Sequence, residues 1–465
     1  MRQTNFALAL LAAAILTACG GSDNNNSAAQ APVPKFASQV SFGDSLSDVG
    51  TYAVGTVAAL GGGKFTINGN NTAINAALHG KNWTELLAAQ LVLAAPCPAV
   101  KGLEGDPLQG FSVPVTNNLT CTGYAQGGAR VTNPIGPSNR ALGSPIGALT
   151  YPVAKQIATH LSRNGGSFKS TDLVIVMAGG NDLFMLTAGL TAAAQAAGAA
   201  EGAKVGAETF AKSLTTQLAA GATSPSTAAS AIGTAIATES ARAGSTSTTV
   251  VGAAVQAAAT QPGNSAVGSP AVYGPMVAKA QADAATAGAT AGAAAGAAYG
   301  SANAPSLVPQ MAAAGAELAA LVRNEIVAKG ATHVVLNNLP DVANTPYAKG
   351  QSASSQQLVA GMVNAFNIAL RVGIDGLEDK VLFVDSFAAG QEQVANPAKY
   401  GITNSTTPAC GPNKLGTTSL VCNGSNLINA SVGGYLFADD VHPSPLGQSL
   451  IARTVAEAMV KKGWL

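Results

Sequence analysis

The sequence contains few charged and few aromatic residues. Charged residues make up 10% of the chain, against about 25% in a typical soluble domain, and aromatic residues make up 5%. The formal net charge is only +1, so the chain lacks the excess of basic residues that marks nucleic-acid-binding proteins, and we expect no nucleic-acid partner. Cys-x-x-Cys motifs and clustered Cys/His spacings are also absent, so we expect no metal site.

The apolar run near the N-terminus is too short to span a membrane. Residues 6–16 are all apolar and follow Arg2, whereas a transmembrane helix needs about 20 such residues. This pattern predicts an export signal over residues 1–18. The sequence LTAC that follows resembles a bacterial lipobox, which implies that Cys19 is lipidated and that residues 19–34 are a flexible tether. The alternative is a plain secretory signal in which this cysteine has no role.

The lipobox resemblance implies an exported protein that is held at the membrane by an N-terminal lipid anchor. We expect an outer-membrane lipoprotein, and otherwise a periplasmic or secreted protein. With Cys19 set aside, an even number of cysteines remains, as expected in an oxidising compartment. Each neighbouring pair brackets a stretch that resembles a surface loop, so we expect disulfides Cys97–Cys121 and Cys410–Cys422, although four cysteines allow three pairings.

From residue 35 onward, apolar runs alternate with helical patterns, which predicts an α/β fold with a mainly parallel sheet. Four stretches contain apolar runs typical of buried strands: residues 36–42, 172–182, 332–341 and 380–386. Apolar residues at three- and four-residue spacing predict helices at residues 311–329 and 355–373. We also expect a terminal helix at residues 445–462.

Residues 187–305 interrupt this alternation, because Ala, Gly, Thr and Ser dominate there. Alanine favours helix but each interior glycine costs about 1 kcal/mol, so we expect small-residue helices with breaks rather than one long rod. Small side chains bury little area, so we expect a poor independent core. Two interpretations stay open. The insertion is either a surface decoration that is partly disordered, or a lid or membrane-facing cover over the functional site.

Four short blocks carry side chains suited to catalysis. Ser45 lies in "FGDSLSD", directly after the first predicted strand, where its hydroxyl would face outward if a helix began there. The block "YAQGGAR" contains a glycine pair where the backbone can approach a ligand, and "GGNDLF" contains Asn181 just beyond another strand. In "DDVHP", Asp439 precedes His442 by three residues, a spacing at which a turn can direct the carboxylate to the imidazole. Parallel sheets bind ligands at the carboxyl ends of their strands, so this edge is the candidate site.

Together these blocks resemble the SGNH/GDSL hydrolases, a family of serine esterases and lipases, and the N-terminus suggests a bacterial lipoprotein type. The resemblance implies a flavodoxin-like three-layer α/β/α sandwich with a mainly parallel sheet. It covers residues 35–186 and 306–465, which would form the hydrolase domain, with the Ala/Gly-rich, largely helical residues 187–305 inserted between the two parts.

The family's mechanism implies a role for each matching residue. Ser45 would be the nucleophile, His442 the general base and later the general acid, and Asp439 the residue that orients the imidazole. The N–H groups of Ser45 and Gly128 and the side-chain amide of Asn181 would form the oxyanion hole.

Two of these assignments compete with adjacent residues. Gly128 is chosen by counting across from the family's second block, and Gly127 is the alternative. Asp439 is preferred to Asp440 because the family spacing is Asp-x-x-His.

The expected reaction is ester hydrolysis through an acyl-Ser45 intermediate, without a metal or organic cofactor. The substrate remains open between lipids, short acyl esters, aliphatic polyesters and acetylated carbohydrates. One alternative is acyl transfer to an alcohol acceptor. Another is a non-catalytic surface adhesion or scaffold protein on the same fold, which is disfavoured because each of the four blocks retains its expected reactive residue.

Overall fold

The computed structural model describes residues 35–69 and 74–465. The predicted export signal, the lipidation site at Cys19 and the tether at residues 19–34 lie outside the described residues. Within them, six strands occur: β1 (Ser38–Gly43), β2 (Val100–Glu104), β3 (Ser112–Asn117), β4 (Asp172–Met177), β5 (His333–Asn337) and β6 (Val381–Val384).

Four of the strands form one parallel sheet in the order β1-β4-β5-β6. One row of valines crosses the whole sheet, because Val40 pairs with Val174, Val174 with Val334, and Val334 with Val381. Three of these strands lie within their predicted stretches, and β1 extends one residue beyond its own, to Gly43, which confirms the α/β class and the parallel sheet. Strands β2 and β3 form a separate antiparallel pair that the sequence analysis did not predict.

Helices cover both faces of the sheet and also extend beyond it. The α-helices are α1 (Gly55–Ala59), α2 (Trp83–Gln90), α3 (Val153–Arg163), α4 (Gly180–Ala219), α5 (Pro225–Ser240), α6 (Ser247–Ala259), α7 (Pro270–Asn303), α8 (Leu307–Leu321), α9 (Pro346–Lys349), α10 (Ala353–Gly373), α11 (Ser386–Ala395) and α12 (Pro445–Lys462). A π-helical segment, Val322–Val327, continues α8. The three predicted helices correspond to α8 with its extension, α10 and α12.

Alternation of side chains along the strands divides the core into two layers. On one face of the sheet, Val174 packs in a buried cluster with Met311 of α8 and Phe366 of α10. On the other face, Ile175 packs with Trp83 of α2 and Val455 of α12. Helices therefore lie on both sides of the sheet, which fits the expected three-layer architecture.

The insertion forms what we call the helical arm, residues 187–305, built from most of α4 together with α5, α6 and α7. The expectation of several helices with breaks rather than one long rod agrees with these four separate helices, of which α4 has 40 residues and α7 has 34. These helices pair through glycines: a Cβ added to Gly202 would lie 2.8 Å from the carbonyl oxygen of Gly288. The close approach of two backbones explains why glycine is retained inside long helices despite its low propensity.

The helical arm also has a buried cluster of its own, contrary to the expectation of a poor core. Large apolar side chains gather where α4, α5 and α6 meet, among them Leu214, Leu218, Ile232 and Val255. Within the described residues, α4 is the one helix whose length and composition would suit a membrane span. Alanine and glycine, rather than large apolar residues, make up much of α4.

Candidate active site

The turn after β1 presents Ser45 at the carboxyl end of the sheet. Gly43 has φ +147°, and a Cβ there would overlap the carbonyl oxygen of Met177 on the neighbouring strand, so the chain can leave β1 here only as glycine. The carboxylate of Asp44 then accepts the N–H of Leu46 at 3.1 Å and shapes the turn. Ser45 lies in this turn and not at the start of a helix, since the next helix starts at Gly55.

Three side chains form a hydrogen-bonded series in which His442 contacts Ser45 on one side and Asp439 on the other. His442 Nε2 lies 2.8 Å from Ser45 Oγ, although the two residues are 397 positions apart. His442 Nδ1 lies 2.8 Å from Asp439 Oδ2. The neighbouring Asp440 instead accepts the N–H of Tyr347 through its backbone carbonyl, so the geometry favours Asp439 over Asp440 as the partner of the imidazole.

The carboxylate of Asp439 is held by several donors. Its Oδ1 accepts the backbone N–H groups of Val441 and His442, and its Oδ2 accepts the N–H of Ser419 at 2.7 Å. Burial by itself would raise the pKa of Asp439, but attraction to His442 and these hydrogen bonds hold it well below its ordinary value. Asp439 is therefore a buried anion beside the imidazole ring.

The pKa of Asp44, next to the serine, moves the opposite way. Burial raises it to about 7, and the hydrogen bond from Leu46 and the nearby His442 offset this only in part. Asp44 and Asp439 therefore differ in charge state near neutral pH although both are buried.

The loop that contains Gly127 and Gly128 runs beside the end of β1. The N–H of Gly127 donates to Asp48 Oδ2 at 2.9 Å, whereas the N–H of Gly128 has no acceptor among the described residues. Gly128 has φ +79°, in the left-handed region that favours glycine. The free donor favours Gly128 over Gly127 as a group that can bind an anion.

Asn181 lies in the first turn of α4, against the same loop. Its Nδ2 donates to the carbonyl oxygen of Ala129 at 2.8 Å, which leaves the second amide hydrogen available to a ligand. The N–H of Ser45 also has no acceptor among residues 35–69 and 74–465. The N–H groups of Ser45 and Gly128 and one amide hydrogen of Asn181 are thus without an acceptor among the described residues.

A cavity of about 130 Å³ opens beside these groups. Ser45, Asn181 and His442 lie along its wall, and much of the remaining lining is apolar, including Phe184 and Ile451. None of the residues that line it belongs to the helical arm. No residue in the lining of this cavity therefore supports the interpretation of the arm as a lid.

Several neighbours of the site carry no local sequence signal. The ring of Phe65 lies against the imidazole of His442, with ring centroids 4.8 Å apart. Ser419, which donates to Asp439, comes from a loop 20 residues earlier in the chain. The carboxylate of Asp182 binds Arg130 at 2.9 Å and accepts the N–H of Val131, both from the loop that follows Gly128. Such contacts between distant loops leave no periodic pattern.

The remaining histidines and cysteines lie away from the cavity. His160 is buried and stacks on Phe168, and burial lowers its pKa to about 4. Within the described part of the chain, no group of three or more His, Cys, Asp or Glu residues is arranged to hold a metal ion.

Disulfides join Cys97 to Cys121 and Cys410 to Cys422, the pairing expected from the sequence.

Comparison with known proteins gives a family resemblance. GDSL esterase/lipase APG of Arabidopsis thaliana is 28% identical over 138 residues, which is 28% of this chain and 39% of the plant protein. Two further GDSL esterase/lipases of that plant are 31% and 30% identical over 86 and 77 residues, covering 18% and 17% of this chain. The chain is similar to plant GDSL esterase/lipases.

These matches are partial, and they support a hydrolase of the GDSL family. The second and third matches span 23% and 21% of the plant proteins, so each covers less than half of its relative. No protein-family profile matches the chain.

Proposed function

We propose that this protein is a serine hydrolase that cleaves carboxylic esters through an acyl-Ser45 intermediate. The observation that carries the proposal is the hydrogen-bonded series from Ser45 Oγ through His442 to the buried carboxylate of Asp439. A serine hydroxyl is a weak nucleophile, and an adjacent base that removes its proton is the usual means of activation.

The first half of the reaction forms the acyl-enzyme. Ser45 Oγ attacks the ester carbonyl carbon while its proton passes to His442 Nε2. Asp439 stabilises the imidazolium cation that results. The negative charge on the carbonyl oxygen is met by the N–H groups of Ser45 and Gly128 and by the amide of Asn181. The intermediate then collapses, the bond to the alcohol oxygen breaks, and that oxygen takes the proton from His442.

The second half releases the acid. Water attacks the acyl carbon and gives a proton to His442 Nε2. The bond to Ser45 Oγ breaks, and Oγ recovers the proton from the imidazole. No step needs a metal or an organic cofactor.

The cavity supports a substrate with an apolar acyl or alcohol group. Phe184, Leu339 and Ile451 contribute to its wall, and burial of an apolar chain there is favourable by about 25 cal/mol per Å². Lipids, short acyl esters and polyesters all contain such a group.

We further propose that the enzyme is exported, in keeping with its two disulfides, which persist in oxidising compartments.

Hydrolysis of p-nitrophenyl esters, from acetate to palmitate, tests the proposal. The Ser45→Ala variant should lose at least about 10³-fold in kcat while keeping its melting temperature, because the missing hydroxyl is the nucleophile. Ser47→Ala is a matched control in the same turn: its hydroxyl accepts the indole N–H of Trp83 and does not contact His442. Activity retained in Ser45→Ala, or lost equally in both variants, would refute the assignment.

A further inference from the structure

The two peptide groups that flank Gly127 are each held by a buried side chain. The Tyr52 hydroxyl donates to the carbonyl oxygen of Gly127 at 2.7 Å. The N–H of Gly127 donates to Asp48 Oδ2 at 2.9 Å. Asp48 is fully buried and Tyr52 nearly so. These two side chains do not line the cavity and have no place in the chemical steps above.

The hydroxyl of Tyr52 also determines where the N–H of Gly128 points. A trans peptide is planar, so the carbonyl of Gly127 and the N–H of Gly128 point in opposite directions. Holding the carbonyl oxygen on Tyr52 therefore aims the N–H of Gly128 the other way. Glycine at both positions leaves this peptide free to rotate if the hydroxyl is removed.

Asp48 connects this loop to the turn that carries the nucleophile. Its Oδ1 accepts the N–H groups of Gly50 at 2.9 Å and Thr51 at 2.7 Å, while its Oδ2 accepts that of Gly127. One carboxylate thus binds both its own turn and the loop at Gly127, which lies 79 positions later in the chain. The distance between the Ser45 turn and the loop depends on this bridge.

We propose that Tyr52 and Asp48 are positioning residues that orient the Gly128 N–H toward the developing oxyanion. The inference rests on the proposed function, since it assigns a task within that reaction. Neither residue touches the substrate. Tyr52 holds the Gly127–Gly128 peptide itself, and Asp48 holds the preceding Gln126–Gly127 peptide, so both fix the backbone on which the Gly128 N–H depends. Preorganised donors contribute to catalysis because they need not reorient when charge develops.

The Tyr52→Phe variant tests the proposal with the loss of a single oxygen atom. We expect kcat on p-nitrophenyl butyrate to fall about 10- to 100-fold, part of the cost of losing one oxyanion donor, with KM changed little. Affinity for a boronic acid, which forms a tetrahedral anion on the serine, should fall by a similar factor. Tyr124→Phe is the matched control, because Tyr124 is equally buried but its hydroxyl lies by Arg163 and Asn164.

A double-variant comparison separates positioning from general destabilisation. Asp48→Asn and Tyr52→Phe act through one donor, so their combined loss in kcat should stay within the about 10²–10³-fold cost of that donor and should be less than the product of the two single losses. Melting temperatures are measured alongside. Wild-type kcat and boronate affinity in Tyr52→Phe would overturn the inference, as would losses that multiply in full or an equal loss in Tyr124→Phe.

These outcomes are distinct from failure of the proposed function. If Ser45→Ala is inactive while Tyr52→Phe behaves as wild type, the hydrolase proposal stands and the positioning role is wrong. If Ser45→Ala remains active, both are wrong.

Discussion

The α/β part of the molecule and the helical arm are stabilised in different ways. Large apolar side chains and many buried polar groups fill the α/β part, and several of those polar groups, among them Asp48 and Asp439, accept hydrogen bonds from distant segments. In the helical arm, helices approach through glycines, and Asn264 is the one polar residue buried among residues 187–305. A region that performs chemistry must bury polar groups, whereas a region that maintains a shape can avoid them.

Among comparisons of the two regions, the largest difference in kcat should come from replacing one buried asparagine in each by alanine. Asn181→Ala is expected to lower kcat by about 10²–10³-fold, because it removes one donor to the oxyanion. Asn264→Ala removes hydrogen bonds to Leu218 and Ala258 in the arm and should lower stability without changing kcat. Steady-state kinetics and thermal unfolding of both variants check this. A comparable rate loss in Asn264→Ala would remove the functional distinction between the regions.

Buried ionisable groups should confine pH-dependent stability to the α/β part. Because the pKa of Asp44 is raised to about 7 from an ordinary 3.8, the folded state holds the proton more tightly between these values, and stability falls as pH rises through that window. Asp44→Asn removes this cost. We expect it to stabilise the protein at pH 8 by an amount on the order of a few kcal/mol, with the advantage shrinking toward pH 4.

Melting temperatures at several pH values check the Asp44 prediction. The exposed Asp379→Asn serves as control and should shift little at any pH. An advantage of Asp44→Asn that does not change with pH would show that the carboxyl does not titrate in this range.

Two glycine substitutions within the arm should act in opposite directions. In Gly202→Ala the new Cβ would meet the backbone of α7, at a cost of about 1–3 kcal/mol. Gly252→Ala in α6 meets no atom within 4 Å and should be stabilising by up to about 1 kcal/mol through helix propensity. Hydrogen exchange in the full chain measures both effects, in α4 and α7 for Gly202→Ala and in α6 for Gly252→Ala. Equal effects would contradict close packing as the basis of the α4–α7 pairing.

The smallest effect is expected from shortening the arm on soluble substrates. Gly198 and Gly292 lie in contact across α4 and α7, so a linker of about four residues can replace residues 199–291. Because the arm contributes no residue to the cavity wall, kcat/KM for soluble p-nitrophenyl esters should change by less than about threefold.

The rate at which the shortened variant hydrolyses aggregated substrates is the contrasting measurement. If the arm contacts a lipid or polymer surface, hydrolysis of emulsified esters should fall more than that of soluble ones. Equal loss on both kinds of substrate would indicate that the arm supports folding of the α/β part.

Local patterns were sufficient to predict most of the main architecture. The apolar runs at the four strands and the helix at residues 445–462 depend on neighbours within a few positions, so their periodicity is visible in the sequence. The hairpin of β2 and β3 escaped prediction because its strands are short and partly exposed. Helices were predicted in the arm, but the lengths of α4 and α7 and their pairing were not, because the low helix propensity of glycine carries no information about a partner helix that packs against it.

The sequence alone determined which side chains carry reactive groups and which strand ends they follow, because those features depend on residues close together in the chain. Tertiary structure alone decided that His442 reaches Ser45, that Ser419 donates to Asp439, and that the hydroxyl of Tyr52 holds the Gly127–Gly128 peptide. Contacts of this kind join segments tens to hundreds of positions apart, and their direction depends on how loops pack, which no local periodicity encodes.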